Sequence, residues 1–316
     1  MSDLAALLGH RFAARARQAI PLAPLTTFRV GGPADWLVDV RGSDELRALV
    51  AIARDAGVAL TVLGGGSNVL VADSGVRGIV ARVHGGAVTR LDATTIRADA
   101  GVTINGLVRW TLNHAVAGLE TWAGTPGTVG GAVYGNAHFR GRLISEVVVR
   151  ASLLSRSGAL EEIPAADMEF AYDYSRLHRT REVVVSADFR VADGDPAVLR
   201  AAARQSLAFR KATQPLALSS AGCIFQNPDP RRARLPAEVP PSAGALVDRA
   251  GMKGVAEGGA RVSVVHANFI VNEGHASAED VRRLIERCKS AVREQFGVEL
   301  KEEIAYLGFD DDGDAR

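Results

Sequence analysis

Two glycine-dense segments carry the strongest chemical signal in this sequence. Gly64-Gly65-Gly66-Ser67-Asn68 follows the strand-like run Val58 to Leu63, where a ligand can approach bare backbone. Glycine permits that approach, and also the positive φ angles that turn successive amides toward one anion. Ser67 and Asn68 add side-chain hydrogen-bonding groups. A ligand-free turn accounts for the pentapeptide equally well. The second segment, Gly124-Thr125-Pro126-Gly127-Thr128-Val129-Gly130-Gly131-Ala132, tips the balance. Two such segments in one chain point to a shared diphosphate-bearing cofactor. Neither shows the G-x-G-x-x-G fingerprint, and no G-x-x-x-x-G-K-[ST] loop occurs, which removes the main support for a Rossmann dehydrogenase, a kinase or a nucleoside triphosphatase.

Other reactive residue types are sparse. Cys223 sits beside Gly222 in a loop, whereas Cys288 falls on the apolar stripe of the last helix and reads as core. His10, His84, His114, His138, His178, His266 and His275 are scattered without a metal-ligand pattern such as H-E-x-x-H, so no metal site is expected. The 316 residues carry a formal net charge of +1, with 47% hydrophobic and 23% charged residues, which suits a globular protein and gives no reason to expect a polyanion partner. The N-terminus lacks the charged and apolar regions of a signal peptide, and no apolar run approaches the roughly 20 residues needed to cross a bilayer. The expectation is a cytoplasmic protein that binds neither nucleic acid nor membrane.

The elements that must position these residues follow from periodicity. Trp36 to Val40 and Val58 to Leu63 read as strands around a helix that starts near Ser43 as its cap and stops at Gly57. Val88 to Arg97 is strand-like, Thr103 to Ala117 helical, and the glycine-dense Gly118 to Gly141 carries no assigned element. Val147 to Leu154 and Val183 to Val191 are strands, and Ala197 to Lys211 is a helix. The last third holds a helical turn over Gly244 to Ala250, a strand within Val262 to Val271, and a helix over Ala278 to Phe296. Pro236-Ala237-Glu238-Val239-Pro240-Pro241 is expected as a rigid surface loop.

With these elements in place, Leu63 to Asn68 and Gly124 to Ala132 resemble the FAD-binding loops of the vanillyl-alcohol-oxidase-type flavoproteins. Within that superfamily they resemble the UDP-N-acetylenolpyruvoylglucosamine reductases, the MurB family. Thr27 with Gly31-Gly32-Pro33-Ala34 is similar to that family's opening motif. Further similarity runs through Ser220-Ala221-Gly222-Cys223-Ile224-Phe225-Gln226-Asn227-Pro228, Ala243-Gly244, Gly251-Met252-Lys253-Gly254 and His266-Ala267-Asn268-Phe269-Ile270-Val271-Asn272. The resemblance implies an α+β fold: a two-part FAD-binding region of the vanillyl-alcohol-oxidase/PCMH type plus a C-terminal α/β substrate-binding domain. Expected boundaries are 1–84, 85–206 and 207–304, with 305–316 grouped with the first. It implies noncovalent FAD; some superfamily members attach flavin covalently and His84 is in a possible position for such a link, but the reductase branch gives no expectation of one. NADPH would be co-substrate and UDP-N-acetylglucosamine enolpyruvate the acceptor, with no obligate protein partner.

Site residues carried over from the resemblance are as follows. Gly64, Gly65, Gly66, Ser67, Asn68, Thr125, Pro126, Gly127, Thr128, Gly130 and Gly131 would hold FAD. Cys223 matches a position that is usually the proton-donating serine. Glu303 matches the C-terminal catalytic glutamate, with Glu302 as the alternative if the register slips. Tyr172, Arg210, Gln214, Asn227, Lys253 and Asn268 would bind substrate. The departure is Asp173, which stands where the family's Tyr-Arg-x-Ser places a charge-stabilising arginine, so Arg176 from the next turn is the expected catalytic cation. A superfamily oxidase and a non-enzymatic UDP-sugar or flavin binder are the competing readings. Oxygen consumption without NADPH marks the first, and yellow colour without NADPH turnover the second.

Overall fold

The computed structural model describes residues 2–231, 235 and 239–309, so Pro236, Ala237 and Glu238 of the expected proline-rich loop lie outside the described residues. Two compact units form: Met1–Ile20, Asp35–Gly65 and Arg77–Phe209 in the first, and Pro21–Ala34, Gly66–Val76 and Arg210–Arg316 in the second.

The first unit contains two sheets. One is four-stranded, in the order Ala16–Pro21, Pro33–Val40, Val76–Val83, Leu60–Leu63. Its last two strands are parallel, with Leu63 beside Arg82. The helix Ser43–Asp55 buries Leu46, Leu49, Val50 and Ala53, the stripe its 3.6-residue period dictates. Ser43 is its first residue and not its cap; that place is taken by Gly42 at φ 80°. The Glu45 carboxylate accepts from the Arg41 amide at 2.8 Å instead, and Arg15 clamps it at 2.6 and 2.7 Å.

The second sheet is five-stranded and antiparallel, in the order Leu160–Pro164, Val148–Leu154, Val183–Arg190, Thr95–Asp99, Val88–Arg90. The expected single run over Val88 to Arg97 is therefore a hairpin. Asp92 breaks it, its Oδ1 accepting from the Thr94 amide at 2.7 Å. Asp188, 1% exposed, is gripped by Arg97 and Arg150, each at 2.6 Å. Burial alone would raise its pKa, but the two guanidinium donors outweigh burial and hold it below the usual aspartate value. A lowered folded-state pKa gives stability that is present at neutral pH and lost as pH falls below the unfolded aspartate value of about 4. We expect Asp188→Ala to lower unfolding stability by about 2–3 kcal/mol at neutral pH, less than for a fully buried pair because both arginines reach water. The deficit relative to wild type should shrink in acid; urea denaturation across pH checks both.

The second unit is built on an antiparallel sheet of Ala256–Glu257, Ala260–Val262 and Ile270–Asn272. The helices Ala243–Arg249 and Ala278–Phe296 share its core with Ala260, Val262 and Ile270. Ala278–Phe296 starts in a capping box of Ser277 and Asp280, ends at Gly297 with φ 66°, and buries Val281, Leu284, Ile285, Cys288 and Val292. Cys288 is core as expected, its thiol pKa pushed up to about 12 by burial. Asp73 accepts from the first amides of this helix, Ala278 at 2.9 Å and Glu279 at 3.2 Å. The strand Val69–Val71 pairs in parallel with Ala305–Leu307. Among the described residues, no helix is long and apolar enough to cross a membrane.

Candidate functional site

In the first unit the two glycine segments meet backbone to backbone. A Cβ on Gly65 would sit 2.7 Å from Gly127 Cα and 3.2 Å from its carbonyl carbon, and one on Gly64 would sit 2.5 Å from Thr128 Oγ1. Only glycine allows this approach. Gly124 and Gly127 have φ of +83° and +99°, which bends the second segment around the contact. Asn105 fixes that bend: its Nδ2 donates to Thr125 O at 3.2 Å and its Oδ1 accepts from the Gly124 amide at 2.7 Å. Asn105 was missed in the sequence, where it looked like an ordinary first-turn residue of Ile104–Asn113.

The glycine-dense segment also contains an element that composition did not suggest. Thr128 caps the short helix Val129–Tyr134, in which Val129 and Val133 are fully buried. Gly130 packs against Ala100, where a Cβ would come within 3.1 Å. The successive amides of Gly65, Gly66 and Ser67 donate to no protein acceptor among the described residues. Unused amides beside a backbone contact closed to side chains fit the diphosphate of a dinucleotide cofactor. Gly66, at φ +59°, accepts from the Thr27 amide at 2.9 Å. Asn68 donates through Nδ2 to Glu303 O at 3.0 Å, so its expected cofactor role falls to the rest of its side chain. His84 Nε2 lies 3.3 Å from Asp39 Oδ1.

In the second unit Cys223 follows Gly222, whose φ of +83° turns the chain, and is partly buried. The residues after it are clamped from two sides. Asn268, 3% exposed, accepts from the Phe225 amide on Oδ1 at 2.9 Å and donates from Nδ2 to Phe225 O at 2.8 Å. Glu303 N donates to Ile224 O, and Gln226 N to Lys301 O, both at 2.8 Å. The Cys223 and Glu303 segments are thus neighbours through an antiparallel pairing centred on Phe225 and Glu302. Glu302 is engaged by Lys289 at 2.9 Å and by the Tyr306 hydroxyl.

Arg210, 6% exposed, interacts electrostatically with Cys223. Burial pulls its guanidinium pKa down to about 10, with Cys223 opposing, so it stays a cation at neutral pH. Its Nη1 donates to Gln214 at 3.5 Å. The remaining expected substrate residues are more dispersed. Asn227 Oδ1 accepts from the Ala243 amide at 3.0 Å, and Lys253 pairs with Asp248 at 3.1 Å.

Tyr172 and Arg176 belong to the first unit. The Tyr172 hydroxyl lies 3.3 Å from His138 Nε2. Arg176 spreads its fork on Glu182, at 3.0 and 3.2 Å. Asp173, between them, is held at φ +51° with its side chain only 8% exposed.

Residues 34–163 match the FAD binding domain family, which makes the chain a flavoprotein by fold and agrees with the glycine cradle. Residues 214–307 match the C-terminal domain of UDP-N-acetylenolpyruvoylglucosamine reductase. A UDP-N-acetylenolpyruvoylglucosamine reductase of Synechococcus sp. (strain WH7803) is 38% identical over 301 residues, 93% of this chain and 94% of that protein. The reductase of Bacillus subtilis (strain 168) is 37% identical, over 91% of this chain and 92% of its own length. The crystal structure of the Thermus caldophilus reductase superposes with a TM-score of 0.76 at 31% identity, covering 92% of this chain and 99% of that one. The chain belongs to the UDP-N-acetylenolpyruvoylglucosamine reductase family, the MurB family, as its motifs implied.

Proposed function

We propose that this protein reduces UDP-N-acetylglucosamine enolpyruvate to UDP-N-acetylmuramate with NADPH, in the cytoplasm, as a step of peptidoglycan precursor synthesis. The observation that carries this reading is the Gly64-Gly65 to Gly127-Thr128 cradle in a chain whose C-terminal part is a MurB domain. The two glycine segments would hold FAD, whose chemistry when bound is hydride transfer between NADPH and the enolpyruvyl β-carbon. Gly65, Gly66 and Ser67 would meet the diphosphate with backbone amides, while Thr125, Pro126, Gly127, Thr128, Gly130 and Gly131 shape the wall. Nothing in this reading calls for a covalent flavin link.

Cys223 supplies the proton that the α-carbon needs. An unperturbed thiol, with a pKa of about 8.5, is mostly protonated at neutral pH and can donate. Donation leaves a thiolate, and the buried Arg210 cation offsets that charge. Asn268 acts through Cys223, fixing the backbone that follows it. Glu303, on the adjacent segment, would hydrogen-bond the substrate carboxyl group. Arg210 and Gln214 would share the UDP end, with Asn227 and Lys253 as outer contacts; Arg176 would reach substrate only by giving up Glu182. The functional division into two flavin-holding parts and a substrate domain stays part of this proposal.

The test is product identification. One NADPH should be consumed per enolpyruvyl sugar, yielding a compound heavier by the hydride and proton gained. NADPH consumption that ignores the sugar and tracks oxygen would replace the reductase reading with an oxidase.

A further inference from the structure

Asp173 is buried in a way that ordinary turn aspartates are not. It occupies the turn Ala171 to Tyr174, closed by Ala171 N to Tyr174 O at 3.0 Å and Tyr174 N to Ala171 O at 3.2 Å. The turn is anchored by Asn136 Nδ2 to Ala171 O at 2.8 Å and by Ser175 Oγ to Tyr134 O at 2.6 Å. Aspartate tolerates the left-handed φ of +51° found here, and that alone could explain its presence. But a turn aspartate normally bonds its own backbone or faces water. Among the described residues, Asp173 Oδ2 is buried and has no hydrogen-bond partner.

A titratable side chain beside it is equally underused. His138 Nδ1, also buried and without a partner, lies 3.8 Å from Asp173 Oδ1, too far for a hydrogen bond. Its ring stacks on Tyr172 at 4.7 Å, and Tyr172 OH occupies its other nitrogen. An unsatisfied carboxyl oxygen and an unsatisfied imidazole nitrogen side by side are costly in a fold unless a ligand completes them. Burial pushes the Asp173 pKa up to about 7 and the His138 pKa down, so Asp173 is un-ionised below about pH 7 and His138 favours its neutral form. An un-ionised carboxyl group is a hydrogen-bond donor.

We propose that Asp173, in its un-ionised form and positioned beside His138, donates a hydrogen bond to the carboxylate of the enolpyruvyl substrate. It thereby serves at the position where relatives are expected to use a cation. This rests on the reductase reading above. The proton stays on Asp173 throughout: no bond to it breaks, and the α-carbon proton still comes from elsewhere. As negative charge grows on the carboxylate during hydride addition, the hydrogen bond strengthens, which is the condition for accelerating that step. Arg176 need not move, because its fork remains on Glu182.

Three proteins test this: wild type, Asp173→Asn, which keeps a neutral donor of the same shape, and Asp173→Ala, which has none. With FAD-loaded enzyme, NADPH should bleach the flavin equally fast in all three. Reoxidation by the enolpyruvyl sugar should stay within about threefold of wild type in D173N and slow about 100-fold in D173A. Independently, infrared spectra of wild type at about pH 6, below the Asp173 pKa of about 7, should show a protonated-carboxyl band that D173N lacks. Absence of that band, D173N as slow as D173A, or D173A as fast as wild type would each overturn the proposal. Failure of wild type itself to be reoxidised would instead strike the substrate assignment, and the infrared band would still report whether Asp173 is neutral.

Discussion

Replacing Gly65 with alanine should yield a colourless protein. The methyl group would lie 2.7 Å from Gly127 Cα, closer than real Cβ contacts come, and 3.2 Å from its carbonyl carbon, tighter than nearly all of them. Both obstacles are backbone, so neither can rotate away, and relief requires the two segments to separate. Separation removes the cradle that the unused amides of Gly65, Gly66 and Ser67 face. We expect FAD affinity to fall at least 100-fold, a loss of about 3 kcal/mol. Gly9→Ala is the control, since an added Cβ there meets nothing within 4 Å. Flavin content after gel filtration and titration of the apoprotein give the readout, with circular dichroism confirming that the variant is folded. A yellow G65A protein with wild-type affinity would remove the cradle from the account.

Cys223→Ala should separate the two half-reactions. The variant keeps the glycine cradle, so flavin binding and bleaching by NADPH should be unchanged. What it loses is the proton donor, and general acid catalysis contributes about 10²–10⁴-fold. Reoxidation by the enolpyruvyl sugar should slow by that factor, while KM changes little. Cys223→Ser should recover much of the loss, since a hydroxyl can donate from the same place on the clamped segment. Stopped-flow absorbance checks each step. Equal slowing in the serine and alanine variants would point to the thiol as a packing group.

Elements with a long, unbroken period were legible in the sequence. Ala278–Phe296 was placed to the residue from its apolar stripe of Val281, Leu284, Ile285, Cys288 and Val292; Ser277 and Gly297 cap it in the structure. Failures came where a side chain acts on backbone far away or where glycine disguises order. Val129–Tyr134 reads as loop because its core is two valines among glycines; the contact with Ala100 that makes Gly130 a packing residue is invisible in sequence. Ser43 offered a standard cap, yet the carboxylate of Glu45 closed that turn.

The candidate site shows the same divide. Cys223, Glu303 and the glycine segments were singled out because their neighbours form motifs. Asn105 could not, because its partners Gly124 and Thr125 lie in a separate segment. Asn268 and Asn68 were read as ligand contacts, but much of their hydrogen-bonding capacity serves the backbone around Phe225 and Glu303. Glu303 was preferred to Glu302 by its motif; that Lys289 and Tyr306 engage Glu302 could not be read from the sequence. Asp173 stood out in sequence as a misfit, and its burial without a partner turned the misfit into a chemical question.

The most direct test of the central claim is an anaerobic titration of the purified protein's flavin spectrum. NADPH is added first, then UDP-N-acetylglucosamine enolpyruvate. The account predicts bleaching by NADPH and recovery of the oxidised spectrum with the enolpyruvyl sugar, in proportion to the sugar added. Flavin that bleaches but is not reoxidised by the sugar, or a protein that takes up no FAD at all, would contradict it.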